Sequence, residues 1–309
     1  MDLLGTQLET LFNTAQTEIF IAAPFIKAAV LKEIFTYIKP EVTVKCFTRW
    51  LIEEIIIGVS DLEIWTIIQS HPRASLWLRN DLHAKYYRSD EQCLIGSANL
   101  TAKALGWTNK PNLELLVQLP VNHSCLPEFE WELFKKSIQI DEQLYQEYFT
   151  IINQIKNQNI PLEQLRFSTD LSLDIVSNEN WIPTLRNPEE LYLAYCGKED
   201  KLTAIARNNA ISDLNYLNII PNLNQNNFNA YVGILLLEKP IIQEIDNFVQ
   251  IPRRFGAVRD FLASLLCANI PNVNPERAWQ TLMRWLLYFL PSRYALSVPN
   301  YSEVFYRIK

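Results

Sequence analysis

Along the first 120 residues the apolar positions switch repeatedly between a helical period and short strand-length runs. Leu3 to Ala15 has helical spacing, and Thr17-Glu18-Ile19-Phe20-Ile21-Ala22-Ala23-Pro24 reads as a buried strand. Phe25 to Ile38 returns to helical spacing and stops at Lys39-Pro40. Glu41 to Thr48, rich in β-branched residues, predicts a second strand; Leu51 to Ser70 is helical, and Ala74-Ser75-Leu76-Trp77-Leu78 predicts a third strand. The stretch from Leu82 to Ile95 reads as two strands joined by a short turn, which makes the sheet mixed rather than purely parallel. Leu100 to Leu105 reads as the first turns of a helix, and Asn112 to Val117 as another buried strand with an acid near its start. The fold class is therefore α/β, a mixed sheet flanked by helices.

The second half changes character. Pro127 to about Ile155 predicts one or two helices, and Pro161 to Ser177 fits neither period. From Trp181 onward the pattern is helical, with Asn187-Pro188-Glu189 and Asn274-Pro275-Glu276 reading as capped helix starts. The chain thus divides into an α/β domain at 1–125, a helical connector at 126–178 and a mainly α-helical domain at 179–309. Ile220-Pro221-Asn222-Leu223-Asn224 and Ile270-Pro271-Asn272-Val273-Asn274 echo one another, which two short matches explain as independent use of a good turn sequence. Asn222 to Asn229 reads as an exposed polar loop. Trp279, Leu282, Met283, Leu286, Leu287 and Leu290 form one apolar helix face, ordinarily core and otherwise a partner surface.

The candidate chemistry lies in the predicted hairpin. Leu82-His83-Ala84-Lys85 is followed by Asp90 and then by Gly96-Ser97-Ala98-Asn99. His83 and Lys85 share a strand face, and Ser97 and Asn99 sit where a turn into a helix would hold an anion. This H-x-K, Asp, G-S-x-N spacing resembles the signature of the phospholipase D superfamily, with five residues between Asp90 and Gly96 where many members have six. The "IFIAAPFI" first strand is similar to the family's as well, and the resemblance covers about residues 1–120.

The resemblance implies phosphodiester chemistry that needs no metal and no cofactor. His83 would attack phosphorus to give a phosphohistidine. Lys85, Ser97 and Asn99 would bind the phosphate, with Lys85 and Asn99 counted as catalytic for the charge they stabilise. Glu114, in an N-x-E context, would fix the tautomer of His83, while Asp90 and Gly96 would support the hairpin. Such sites use two copies of the motif, one histidine attacking and the other protonating the leaving oxygen. The chain has three histidines, His71, His83 and His123, and neither His71 nor His123 begins a second H-x-K. The expectation is a homodimer through the catalytic domain.

Composition narrows the rest. With 49% hydrophobic and 20% charged residues, the 309-residue chain reads as globular. Its net charge of −6 weighs mildly against tight non-specific DNA binding. Lys103, Arg253, Arg254 and Arg259 are the candidate nucleic-acid contacts, and Arg88 is a further candidate for the phosphate field. No apolar run approaches the roughly 18 residues of a spanning helix, and Met1-Asp2-Leu3 begins no signal peptide, so the expectation is a cytoplasmic protein with no membrane contact. Five dispersed cysteines, Cys46, Cys93, Cys125, Cys196 and Cys267, suit a reducing compartment as small buried residues. There is no nucleotide-binding G-x-x-x-x-G-K-[ST] loop.

The first reading is a nuclease acting on DNA, which the resemblance places in defence against foreign DNA, with the helical domain selecting DNA or docking on a larger defence complex. The alternatives are a phospholipase or phosphatidyl transferase, and a non-catalytic nucleic-acid-binding assembly subunit.

Overall fold

A computed structural model describes residues 4–90, 92–157, 181–267, 273–299 and 302–308. The chain divides into two units, Met1–Phe167 and Ser168–Lys309. In the first, α1 (Leu4–Asn13) leads to β1 (Glu18–Ala22), α2 (Ala28–Phe35), β2 (Thr43–Thr48), α3 (Ile52–Ile56), α4 (Ile64–Gln69) and β3 (Ala74–Leu78). Then come β4 (Lys85–Arg88), β5 (Gln92–Gly96), β6 (Leu116–Pro120), α5 (Cys125–Lys135), β7 (Ile138–Gln139) and α6 (Glu142–Asn157).

The strands form one seven-stranded sheet in the order β6-β5-β4-β1-β2-β3-β7. β1, β2 and β3 are parallel, and every other pairing is antiparallel. The sheet is mixed because helical crossovers permit the parallel centre, while the tight β4–β5 connection forces an antiparallel flank. Side chains alternate between two covered faces. On one face Phe20, Ala22, Phe47, Leu82, Tyr86 and Cys93 pack under Leu126 and Leu133 of α5. Phe134 meets Phe47 edge-on at 4.9 Å between ring centres, an arrangement worth about 1 kcal/mol beyond its buried area. On the other face Phe12 of α1 meets Tyr87 edge-on at 6.5 Å.

Several local expectations change. The helical stretch at 51–70 is interrupted by Gly58 at φ +78°, a conformation that suits glycine, and becomes α3 and α4. Residues 101–106 make turns rather than a helix and end at Gly106, φ +80°. The last strand of the flank begins at Leu116 instead of Asn112. The segment from 126, set apart in the sequence as a connector, contributes α5 to the first unit's core and β7 to its sheet; the remainder of that segment beyond residue 157, including Pro161 to Ser177, lies outside the described residues.

The second unit contains α7 (Glu190–Tyr195), α8 (Ala204–Leu217), α9 (Gln225–Leu237), α10 (Pro240–Phe248), β8 (Arg253–Arg254), α11 (Phe255–Cys267), α12 (Pro275–Phe289), β9 (Tyr294–Ser297) and β10 (Val304–Arg307). Thr203, Asn224 and Asn274 cap α8, α9 and α12 by accepting hydrogen bonds from the backbone N–H three residues on. At Asn187 the helix starts later, with Glu189 at the cap position. Asn224 and Asn274 close the two echoed turns, although Ile270, Pro271 and Asn272 lie outside the described residues. The asparagine-rich stretch read as a loop is the first turn of α9, anchored by the buried Phe228. The apolar face of α12 is core: Trp279, Leu282 and Leu286 are fully buried.

A three-stranded antiparallel sheet, ordered β8-β10-β9, was not apparent in the sequence. Buried Asp246 of α10 ties it down, accepting from Arg293 at 2.8 and 2.9 Å, from the Tyr294 hydroxyl at 2.7 Å and from Arg307 at 3.2 Å. Despite burial, which acts to raise it, the pull of Arg293 and Arg307 holds the Asp246 pKa below the usual carboxylate range. Among the cysteines, Cys46 and Cys93 are buried but Cys125 and Cys196 are exposed, so packing does not account for all of them. Among the described residues no helix is long and apolar enough to cross a membrane.

Candidate active site

Register brings the two halves of the motif together. Lys85 of β4 lies opposite Gly96 of β5, and Gly96 lies opposite Leu116 of β6. His83, two residues before Lys85 in the lead-in to β4, therefore lies at the same end of the sheet as the Gly96-Ser97-Ala98-Asn99 turn, the end where β1, β2 and β3 also finish. Leu82 and Tyr86 face the aromatic core, with Ala84 packed against it, so alternation turns His83, Lys85 and Tyr87 to the opposite face.

Lys85 and Asn99 are each held by a definable neighbour. His83 is exposed, whereas Lys85 is 9% exposed and donates its Nζ to the His83 carbonyl at 2.7 Å. That bond folds the ammonium back onto the His83 backbone. Asn99 accepts from the Phe25 backbone N–H at 3.3 Å through Oδ1. The amide is thereby oriented, and its Nδ2 donors turn away from Phe25. Phe25 itself sits just beyond β1, with the Arg49 guanidinium 5.3 Å from its ring centre. Arg49 in turn pairs with the buried carboxylate of Glu54, its Nε donating at 3.0 Å. Phe25, Arg49 and Glu54 went unnoticed in the sequence, because no motif joins residues so far apart; the abrupt end of β2 at Arg49-Trp50 was the available signal.

Ser97, expected to bind phosphate, has its hydroxyl committed elsewhere. It donates to Glu114 and accepts from the Leu115 N–H at 3.1 Å. The Ser97 N–H donates to the Leu115 carbonyl at 3.0 Å, so this residue fastens the chain entering β6. Glu114 accepts from Ser97 and, at 3.1 Å, from the Asn112 side chain; its connection to the site runs through Ser97. Gly96 is there for space: a Cβ would lie 1.9 Å from the Leu115 carbonyl oxygen.

Asp90 lies at the opposite end of β4. It accepts from the backbone N–H groups of Gln16 at 2.6 Å and Glu18 at 2.7 Å, and from the Thr17 hydroxyl. It braces the entry to β1 rather than the hairpin turn. Burial pushes its pKa up, but the Thr17 hydroxyl and these N–H donors outweigh that and hold it at about 2. Arg88, a candidate for the phosphate field, is engaged with Glu18 at 2.8 Å and with Glu130, over the Phe20 ring. Lys103 is exposed on the turn after Asn99. In the second unit Arg253 donates to the Phe248 carbonyl at 3.1 Å and lies over the Phe248 ring, Arg259 pairs with Asp260, and Arg254 is exposed. Among the described residues, no group of three or more His, Cys, Asp or Glu is placed to hold a metal ion.

Chemically, this end of the sheet offers an exposed imidazole, an ammonium bonded to the same histidine's carbonyl and an oriented amide donor. Such a set can attack an electrophilic phosphorus and stabilise the charge that develops on its oxygens.

No protein-family model matches the chain, and no curated protein matches it. Among solved structures it is similar to NucT from Helicobacter pylori, at 13% identity and TM-score 0.35, over 44% of this chain and 91% of that one. It is similar to TrmBL2, an archaeal chromatin protein described as showing a novel mode of DNA binding, at 17% identity and TM-score 0.32 over 44% of this chain and 49% of that one. It is also similar to phosphatidylserine synthase of Haemophilus influenzae Rd KW20, at 18% identity and TM-score 0.32 over 37% of this chain and 31% of that one. This chain spans less than half the length of the latter two proteins.

Proposed function

We propose that the protein is a metal-independent phosphodiester hydrolase, a nuclease with DNA as its favoured substrate. The observation that carries this reading is the β4–β5 register, which sets His83 and Lys85 against the turn bearing Asn99. His83 attacks phosphorus through a ring nitrogen, the P–O bond to the leaving alkoxide breaks, and a phosphohistidine forms. Lys85 and the Asn99 Nδ2 donors neutralise the oxygens in transit. The leaving alkoxide needs a proton, and a second imidazole supplies it. His71 accounts for itself elsewhere, with its Nε2 3.2 Å from the Lys39 carbonyl and its ring against Phe35, and His123 lies in the loop after β6. The proton donor is thus His83 of a second copy in a homodimer. Having lost its proton, that imidazole takes one from water as the water attacks the phosphohistidine, which restores both histidines. The setting that fits is defence against foreign DNA, within or beside a larger complex.

The test is cleavage of labelled single- and double-stranded DNA and RNA in EDTA, comparing wild type with His83→Ala. Cutting by the wild type that disappears in the variant is the expected result. Equal cutting by both proteins, or cutting abolished by EDTA, overturns the mechanism. Release of a headgroup from phospholipid vesicles, with nucleic acid left intact, would move the same chemistry to a lipid substrate.

A further inference from the structure

The chain entering β6 alternates in an unusual sense. Leu116 is buried and Glu114 half-buried, while Leu113 is fully exposed, Leu115 is 63% exposed and Val117 is 45% exposed. Among the described residues β6 is also an edge strand, paired with β5 on one side. A row of exposed apolar side chains on an unpaired edge is a liability that soluble proteins ordinarily blunt with charge. Here the ten residues Pro111–Pro120 carry one charge, that of Glu114, which is half-buried and bonded to Ser97 and Asn112.

We infer that Leu113, Leu115 and Val117 form the dry centre of a two-fold contact with a second copy of this chain. The inference rests on the proposed two-copy active site and names the surface that assembles it. Three observations select a second copy as the occupant. The surface is continuous with the site, because Leu115 is bonded through its N–H and carbonyl to Ser97, two residues from Asn99. It is nearly free of charge, so two identical strips meet without like-charge repulsion. The proposed reaction uses two histidines where one motif supplies one, and the strip enters β6 at the end of the sheet that carries His83, so a partner seated there brings its own His83 to that end. A stable contact buries about 800 Å² per partner, so these three side chains are the centre of the proposed contact and not the whole of it.

The test measures sedimentation and EDTA-resistant cleavage together for wild type, Leu113→Asp, and the double variant Leu113→Asp/Leu115→Asp, with circular dichroism as the check on folding. The single variant alters a fully exposed side chain, so it keeps the test decisive should the double variant misfold. A dimeric wild type, and folded variants that sediment as monomers and lose about 100-fold or more in cleavage, is the expected result. A dimeric wild type with equally dimeric variants overturns this surface and leaves the dimer reading standing. Folded monomeric variants with full cleavage uphold the surface and overturn the two-histidine reading. A monomeric wild type overturns the inference outright.

Discussion

Asn99 has an amide with two ends in different surroundings, and that asymmetry can be tested. Its Oδ1 accepts from the Phe25 N–H, so Asn99→Asp retains this bond while it removes the Nδ2 donors and adds negative charge beside the substrate phosphate. Asn99→Asp should leave the melting temperature nearly unchanged and lower single-turnover cleavage by about 10²–10³, the cost of losing one charge-stabilising donor. Lys85→Met keeps the buried stem and removes the ammonium, and a rate loss of the same order is expected. Near wild-type turnover in either variant would remove that residue from the phosphate clamp. Gly96 makes a different prediction. A methyl group there would collide with the Leu115 carbonyl, which cannot swing aside as a side chain would. Gly96→Ala should therefore destabilise the fold by about 1–3 kcal/mol, read from the urea midpoint, by pushing β6 off β5.

At the scale of elements, Asp90 is a clamp between the end of β4 and the entry to β1, and its strength depends on its charge. Because the folded pKa is depressed to about 2, the stability it contributes is fully present above its unfolded pKa near 4 and is lost as pH falls toward 2. Asp90→Asn should lie below wild type in urea stability at pH 7, and the gap should close between about pH 4 and pH 2. A gap that persists at pH 2 would mean that the carboxylate charge is not what the clamp uses. The same elements show what was legible in the sequence. β1 and β3 announce themselves as short, largely apolar runs, and β2 by its β-branched residues, as buried central strands require. The His83-Lys85 and Gly96-Asn99 pairing was legible because one hairpin contains it. β7 and the β8-β10-β9 sheet were not, since a two-residue strand has no period and Arg253-Arg254 looks like surface; tertiary contacts, including the Asp246 network, create these strands. Leu113 to Val117 was misread for a related reason. Hydrophobicity marks a strand as apolar but does not say whether anything in the same chain covers it.

At the scale of the whole molecule, the proposed site is a property of two chains. An equal mixture of wild type and His83→Ala, allowed to exchange subunits, contains about a quarter wild-type homodimer by random pairing. If each reaction consumes one attacking and one protonating His83, a mixed dimer lacks one of the two roles, and activity per total protein should fall to about a quarter of the wild-type value. If each chain acts alone, the same mixture keeps about half, because only the mutant chains are silent. The assay compares these two levels in EDTA, before and after exchange driven by dilution and reconcentration. A level that stays at half after exchange argues that the second proton source lies within one chain. Since the remaining imidazoles sit away from the His83 edge, that outcome would turn attention to the Lys85 ammonium, bonded to the His83 carbonyl, as the acid.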